Sequence, residues 1–292
     1  MLPVNKKINK THSELAAPGL CASCGTVVND KFCGTCGEKQ VDAHDFALKH
    51  YVEESVEGIT HFDNKFFRTA KTLITKPGLL TADFSKGKRI TYLKPFQLFI
   101  TCNILFFFLA GSLNIFSQPL YSFYAYDPYV SFHTKETILQ KAHNDAEFTT
   151  LAATFNGKVG TESKLYIALF IPTLALVFAL IFFNTKRYFT EHLVFATHYF
   201  SFILIYFTLF TLLVIKPFYW FTHLEFSSTF DTITSVINMA VFGTYFTIAA
   251  KRFYKVGGYH AFSGAVITTV MFVGILTGYR LLIFYKLMWT MH

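Results

Sequence analysis

A chain of 292 residues that is 52% hydrophobic and only 15% charged, with a mean hydropathy of +0.38, does not read as a soluble domain, where about a quarter of residues are charged. Its 36 phenylalanines are more aromatic area than a soluble core of this size hides, whereas a bilayer accepts it. The net charge of +8 could suit nucleic acid, but the cations cluster beside apolar runs. That pattern fits the positive-inside bias and anionic lipid, and it argues against a nucleic-acid partner.

Residues 1–20 are polar and basic (Lys6, Lys7, Lys10) and end at Pro18-Gly19, which predicts a flexible arm. The first forty residues hold no continuous apolar stretch, so no cleaved signal is expected and the amino end is expected in the cytoplasm. Residues 21–40 contain Cys21-x2-Cys24 and Cys33-x2-Cys36, each pair followed by a glycine, Gly25 or Gly37. Two intervening residues let both thiolates reach one tetrahedral ion, and a glycine at φ > 0 turns backbone N–H groups toward the sulfurs. The spacing predicts a short zinc ribbon. Two disulfides are the competing reading and suit an oxidising compartment, and a rubredoxin-like iron is a further one. Four thiolates leave zinc no open position for catalysis, so its expected role is structural, Zn2+ supplying folding energy to a unit too small for a core.

Residues 41–94 read as cytoplasmic or interfacial helices. Leu48, Val52, Val56 and Ile59 recur at helical spacing, and Asp63 is a suitable N-cap for a helix bearing Phe66, Phe67, Ala70, Leu73 and Ile74. Lys76-Pro77-Gly78 ends that helix. Leu79, Leu80 and Phe84 suggest a short one, closed at Gly87. Lys86, Lys88 and Arg89, followed by Tyr92, Lys94 and Pro95, predict a junction seated on anionic headgroups.

Residues 95–292 read as a mainly α, polytopic bundle of five transmembrane helices: 95–116, 165–183, 193–215, 230–249 and 261–285. Cys102 packs as a small apolar residue in the first, and Pro172 predicts a kink in the second. A polar outer loop is expected over 117–163, with helical character from Thr134 to Leu151. In the fifth span Ser263, Gly264, Ala265, Gly274 and Gly278 would allow close helix contact. Arg280 would snorkel to headgroups or neutralise an acid within the bundle. With the amino end inside, inner segments hold nineteen Lys/Arg and outer ones six, which predicts the carboxyl end outside.

Glu191, His192 and His198 are ionisable groups at or near membrane depth, a functional signal by default. Glu191 and His198 are seven apart and share a helix face; with Thr244 from the fourth span they make a possible intramembrane polar site. The bland alternative puts Glu191 and His192 at the water boundary and His198 in a helix-to-helix hydrogen bond. No HExxH, nucleophile elbow or phosphate loop occurs.

The cysteine knuckles, Pro77-Gly78, Gly87-Lys88-Arg89, Tyr92, Pro95-Phe96 and Glu191-His192…His198 together resemble a group of Bacteroidota inner-membrane proteins known as a domain of unknown function. The resemblance implies architecture and an inner-membrane location, and carries no mechanism. Three functions are therefore weighed. The first is an adaptor whose ribbon docks a protein partner or second copy at the cytoplasmic face, a non-enzymatic role. The second is a small oligomeric transporter using Glu191 and His198. The third is a lipid-acting enzyme.

Overall fold

A computed structural model describes residues 19–40, 65–111, 115–222 and 228–291. The expected flexible arm, the helix proposed for Leu48–Ile59 and the Asp63 cap lie outside the described residues, save for Gly19 and Leu20. The described chain is helical apart from a small amino-terminal ribbon held by two isolated bridges, Leu20 with Val27 and Phe32 with Lys39. Eleven α-helices follow: α1 (Lys65–Thr75), α2 (Leu79–Ser85), α3 (Pro95–Leu109), α4 (Leu120–Ala125), α5 (Thr134–Leu139), α6 (Asp145–Tyr166), α7 (Phe170–Ile181), α8 (Phe189–Phe210), α9 (Lys216–Thr222), α10 (Ser228–Tyr254) and α11 (Gly258–Thr290).

Among the described residues, four stretches are long and apolar enough to cross a membrane: 145–181, 189–222, 232–254 and 258–290. They overlap four of the five expected spans. The stretch expected as the first span forms α3, which is apolar but has 15 residues, about 22 Å at the helical rise against a hydrocarbon thickness of about 30 Å.

Two prolines shape the long rods. Pro172 lies in the first turn of α7, directly after a 3-10 turn at Ile167–Leu169 that joins α6 to α7. The predicted kink is thus absorbed as one tightened turn. Pro217 cannot donate to the carbonyl of Leu213, and α8 widens into a π turn at Thr211–Ile215 before continuing as α9.

The segment expected as an outer loop is ordered. Asn144 caps α6 by accepting from the Glu147 N–H, and α6–α7 runs on as one 37-residue rod, about 55 Å long. With α11, also about 50 Å, it overhangs a 30 Å slab by some 20 Å. Residues 115–142 fold over that overhang. Phe123 stacks on Phe284, Tyr279 donates to the Ser163 carbonyl at 2.7 Å, and Lys286 pairs with Glu162 at 2.5 Å. Arg280 donates to the Ile115 carbonyl and, at 2.7 Å, to the Tyr129 hydroxyl, rather than to an acid.

The core is organised around α8, in which every residue from Thr190 to Leu204 is buried. Helices α3 and α7 lie along it, and α1 and α2 close its ribbon end. Helix α10 meets it through rings, Phe202 stacking on Tyr245 with centroids 3.5 Å apart and Phe195 on Phe253 at 5.5 Å. The outward residues are greasy: Phe108, Leu180, Leu213 and Val270 are exposed, as a lipid-facing shell requires. Trp220 and Trp289 are exposed at the far end of the rods and Tyr259 at the ribbon end, where interfacial aromatics belong. Of the small residues in the last span, Gly264 makes a close approach, its Cβ position 3.1 Å from Ile181 and Phe182, while Gly274 and Gly278 face open space.

Candidate metal centre and buried polar contacts

The ribbon is a twelve-residue unit used twice. In the first half Gly25 N–H bonds the Cys21 carbonyl, Cys21 N–H the Thr26 carbonyl, and Val28 N–H the Gly19 carbonyl. In the second half Gly37, Cys33 and Gln40 donate to Cys33, Glu38 and Lys31 in the same pattern. Each knuckle closes on a glycine at positive φ, +75° for Gly25 and +74° for Gly37, a conformation that a Cβ would oppose.

The pattern aims four sulfurs at one point. Their ligand atoms all lie within 4.8 Å of one another, with Cys21–Cys36 and Cys24–Cys33 each 3.5 Å apart. All four are free thiols, and 3.5 Å is far longer than a disulfide bond. A tetrahedral ion with sulfur bonds near 2.3 Å needs sulfur separations of about 3.8 Å, so the donor set fits a thiophilic metal such as zinc. Thr26, through its hydroxyl and then its backbone N–H, lowers the Cys24 thiol from 9.0 to about 6. The backbone N–H groups of Cys36 and Thr35 likewise lower Cys33. At Cys36, by contrast, the lowering by the Glu38 backbone N–H is outweighed by desolvation and the three neighbouring sulfurs, which push the thiol up to about 12. Without a metal the protons are therefore shared unevenly among the four. Thiolates are the form a metal takes up.

One substitution between the repeats ties the ribbon down. Where the first knuckle has Thr26, the second has Glu38, whose side chain is only 3% exposed. One of its oxygens accepts from Ser23 Oγ at 2.6 Å, Arg89 N–H at 3.0 Å and Ile90 N–H at 3.1 Å. Three residues on, the Thr69 hydroxyl of α1 accepts from Leu93 N–H at 3.0 Å. The basic junction is therefore sandwiched between ribbon and α1. Two of its cations have partners within the protein: Lys88 Nζ lies 3.6 Å from Asp83, and the Arg89 guanidinium lies 4.7 Å above the Phe84 ring. Lys86 is exposed.

The ionisable residues of α8 are distributed rather than gathered. Glu191 caps its own helix by accepting from Tyr188 N–H at 3.1 Å, and pairs with Arg187 at 2.8 Å. Arg187 continues to the Phe253 carbonyl and lies over the Phe253 ring, tying the start of α8 to the end of α10. His192 shares a 2.8 Å hydrogen bond with the Tyr254 hydroxyl. His198 instead shares a 2.8 Å hydrogen bond with Thr81 of α2. Thr244 lies on the exposed side of α10; its neighbour Tyr245 turns inward and donates to the Leu73 carbonyl at 2.9 Å.

Around His198 a small cleft is lined by Lys76, Thr81, Tyr199, Tyr245 and Ala249, with about 10 Å³ of free space, room for one water. Gly78 forms its lip at φ +77°, with its Cβ position 2.5 Å from the Ala249 carbonyl oxygen, and Arg252 donates to the Pro77 carbonyl at 2.6 Å. Sequence reasoning singled out the Pro77-Gly78 break but not its partner. No spacing rule links residue 78 to residue 249.

Fold and site together define a multi-pass helical membrane protein carrying a four-cysteine cluster of metal-binding geometry. The model of a family described as "Protein of unknown function (DUF3667)" matches residues 63–107, which span α1, α2, the basic junction and most of α3. No curated protein and no solved structure matches the chain.

Proposed function

We propose that the four cysteines hold one structural zinc ion and that the protein is an adaptor of the bacterial inner membrane. Its ribbon is a rigid docking head for a protein partner at the cytoplasmic face. In this reading the chain crosses five times, α3 completing its crossing with flanking residues, and the carboxyl end is periplasmic. Lys86 adds attraction to anionic headgroups, with Lys88 and Arg89 contributing beside it.

The observation that carries the reading is the Glu38 contact. A ribbon serving only as a fold staple needs no buried carboxylate bonding the chain fifty residues away, whereas a head that transmits orientation to a membrane bundle does. The engagement of Glu191, His192 and His198 by Arg187, Tyr254 and Thr81 supports the same view. A transporter or lipid-acting enzyme built on Glu191 and His198 calls for more room than one water.

The test is zinc analysis and crosslinked copurification of full-length protein from native membranes. About one zinc per chain is expected, absent in the Cys33→Ser, Cys36→Ser variant, together with a stoichiometric protein partner that the variant fails to capture. A zinc-free wild type removes the metal. Co-isolation of substrate-like lipid or ion with no protein partner would favour the transporter or enzyme.

A further inference from the structure

Two lysines far apart in sequence line one cleft at the far end of the bundle. Lys164 is the last charged residue before the uncharged run 165–183, and Lys216 the first after the run 193–215, which lacks Asp, Glu, Lys and Arg. Each therefore marks the edge of the hydrocarbon on its own helix. Both line one open cleft of about 290 Å³, with Phe107, Phe108, Ser117 and Gly160. No carboxylate is among its lining residues; Glu162, the nearest in sequence, is engaged by Lys286. Lys216 Nζ donates one hydrogen bond, to the Leu109 carbonyl at 3.0 Å, and an ammonium has three donors. Lys164 Nζ lies 5.7 Å from the Phe107 ring.

The wall of the cleft is oily. Phe108 is 84% exposed, and Leu165 and Leu213 are also exposed beside the two lysines. The floor is open because Gly160 carries no side chain; a Cβ there would meet no atom within 4 Å. The volume suits a headgroup, being at the lower limit for whole small-molecule sites.

We propose that this cleft binds the phosphate of an anionic phospholipid, with Lys164 and Lys216 as paired cations, Ser117 as a further donor, and the acyl chains lying against Phe108 and Leu213. The commitment to lipid rather than free phosphate rests on position. The cations sit at the end of two apolar runs, and the rim is apolar and exposed, which a soluble anion does not use. This site is independent of the ribbon and of any partner.

The test is native mass spectrometry of full-length protein in detergent, titrated with phosphatidylglycerol or phosphatidylcholine. One phosphatidylglycerol should be retained in preference to phosphatidylcholine. Lys164→Gln with Lys216→Gln should weaken retention at least about tenfold, since each cation near the surface contributes on the order of 1 kcal/mol. The Lys164→Arg, Lys216→Arg variant should keep it. Lys158→Gln, an exposed far-end lysine off the cleft, should change nothing. Gly160→Leu keeps every charge, favours helix, and should block the lipid by filling the floor. Equal retention by the Gln variant, or an equal loss with Lys158→Gln, overturns the site. Displacement by millimolar inorganic phosphate shows a general anion site and overturns the lipid assignment. Should the double Gln variant fail to fold, Lys164→Gln alone and Gly160→Leu decide the matter.

Discussion

At the scale of single residues, Gly78 and Glu38 are two positions where the fold leaves little room for substitution. Gly78 combines a left-handed backbone with a Cβ position 2.5 Å from the Ala249 carbonyl oxygen. Alanine there meets both penalties, about 2 kcal/mol or more together. Gly78→Ala should lower the detergent melting temperature by roughly 4–8 °C. Gly274→Ala, in open helical space, should leave it unchanged or raise it slightly. Equal behaviour of the two would show that α2 does not seat on α10 as described. Glu38 is different, because its partners are backbone amides. Glu38→Ala leaves the Arg89 and Ile90 N–H groups without their acceptor and should release the ribbon from the junction at a cost on the order of 2 kcal/mol. Hydrogen exchange is the direct readout: faster exchange at residues 89–90 with zinc retained is expected. Unchanged protection there would mean that the staple contributes nothing.

At the scale of elements, α8 is held by side chains from α2 and α10 as well as by packing. The Thr81–His198 hydrogen bond is the cleanest to isolate. A double-mutant cycle of Thr81→Val and His198→Leu, read by thermal melts, should give a coupling of about 1 kcal/mol. Additive losses would make His198 a packing residue alone. The elements themselves were largely legible in the sequence. Cysteine spacing pointed to the ribbon, and apolar runs marked four long spans, because both signals are local. What the sequence did not reveal was tertiary. Glu191 and His198 share a helix face by arithmetic, yet one pairs backward with Arg187 and the other across with Thr81, more than a hundred residues away. Within the expected outer loop, residues 152–163 carried no helical signal in the sequence, but they are helical in a rod anchored at its far end by Tyr279 and Lys286. Thr244 was expected inside by proximity; the one-residue offset to Tyr245 depends on how α10 is rotated, which composition does not report.

At the scale of the whole molecule, the proposed topology sets α10 and α11 across the bilayer in opposite senses. A reporter active only in the periplasm should work when fused after His292 and stay silent after Lys255. The reverse pattern would invert the orientation, and the same activity at both sites would mean that α11 does not cross. The burial of α8 has a further consequence, for biosynthesis. Its neighbour α3 is made before it, but the carbonyl of Phe253 and the hydroxyl of Tyr254 that engage Arg187 and His192 are made some sixty residues later. Until they arrive, the growing chain has an ion pair and two histidines in the membrane with part of their surroundings missing. Translation must therefore run ahead of folding here, and the nascent bundle must be shielded while it waits. A chain ended at Thr222 should be cleared by membrane proteases, as a pulse-chase experiment would show, and supplying residues 223–292 as a separate polypeptide should lengthen its life. A 1–222 fragment as durable as the intact protein would show instead that α8 finds its place without its later half.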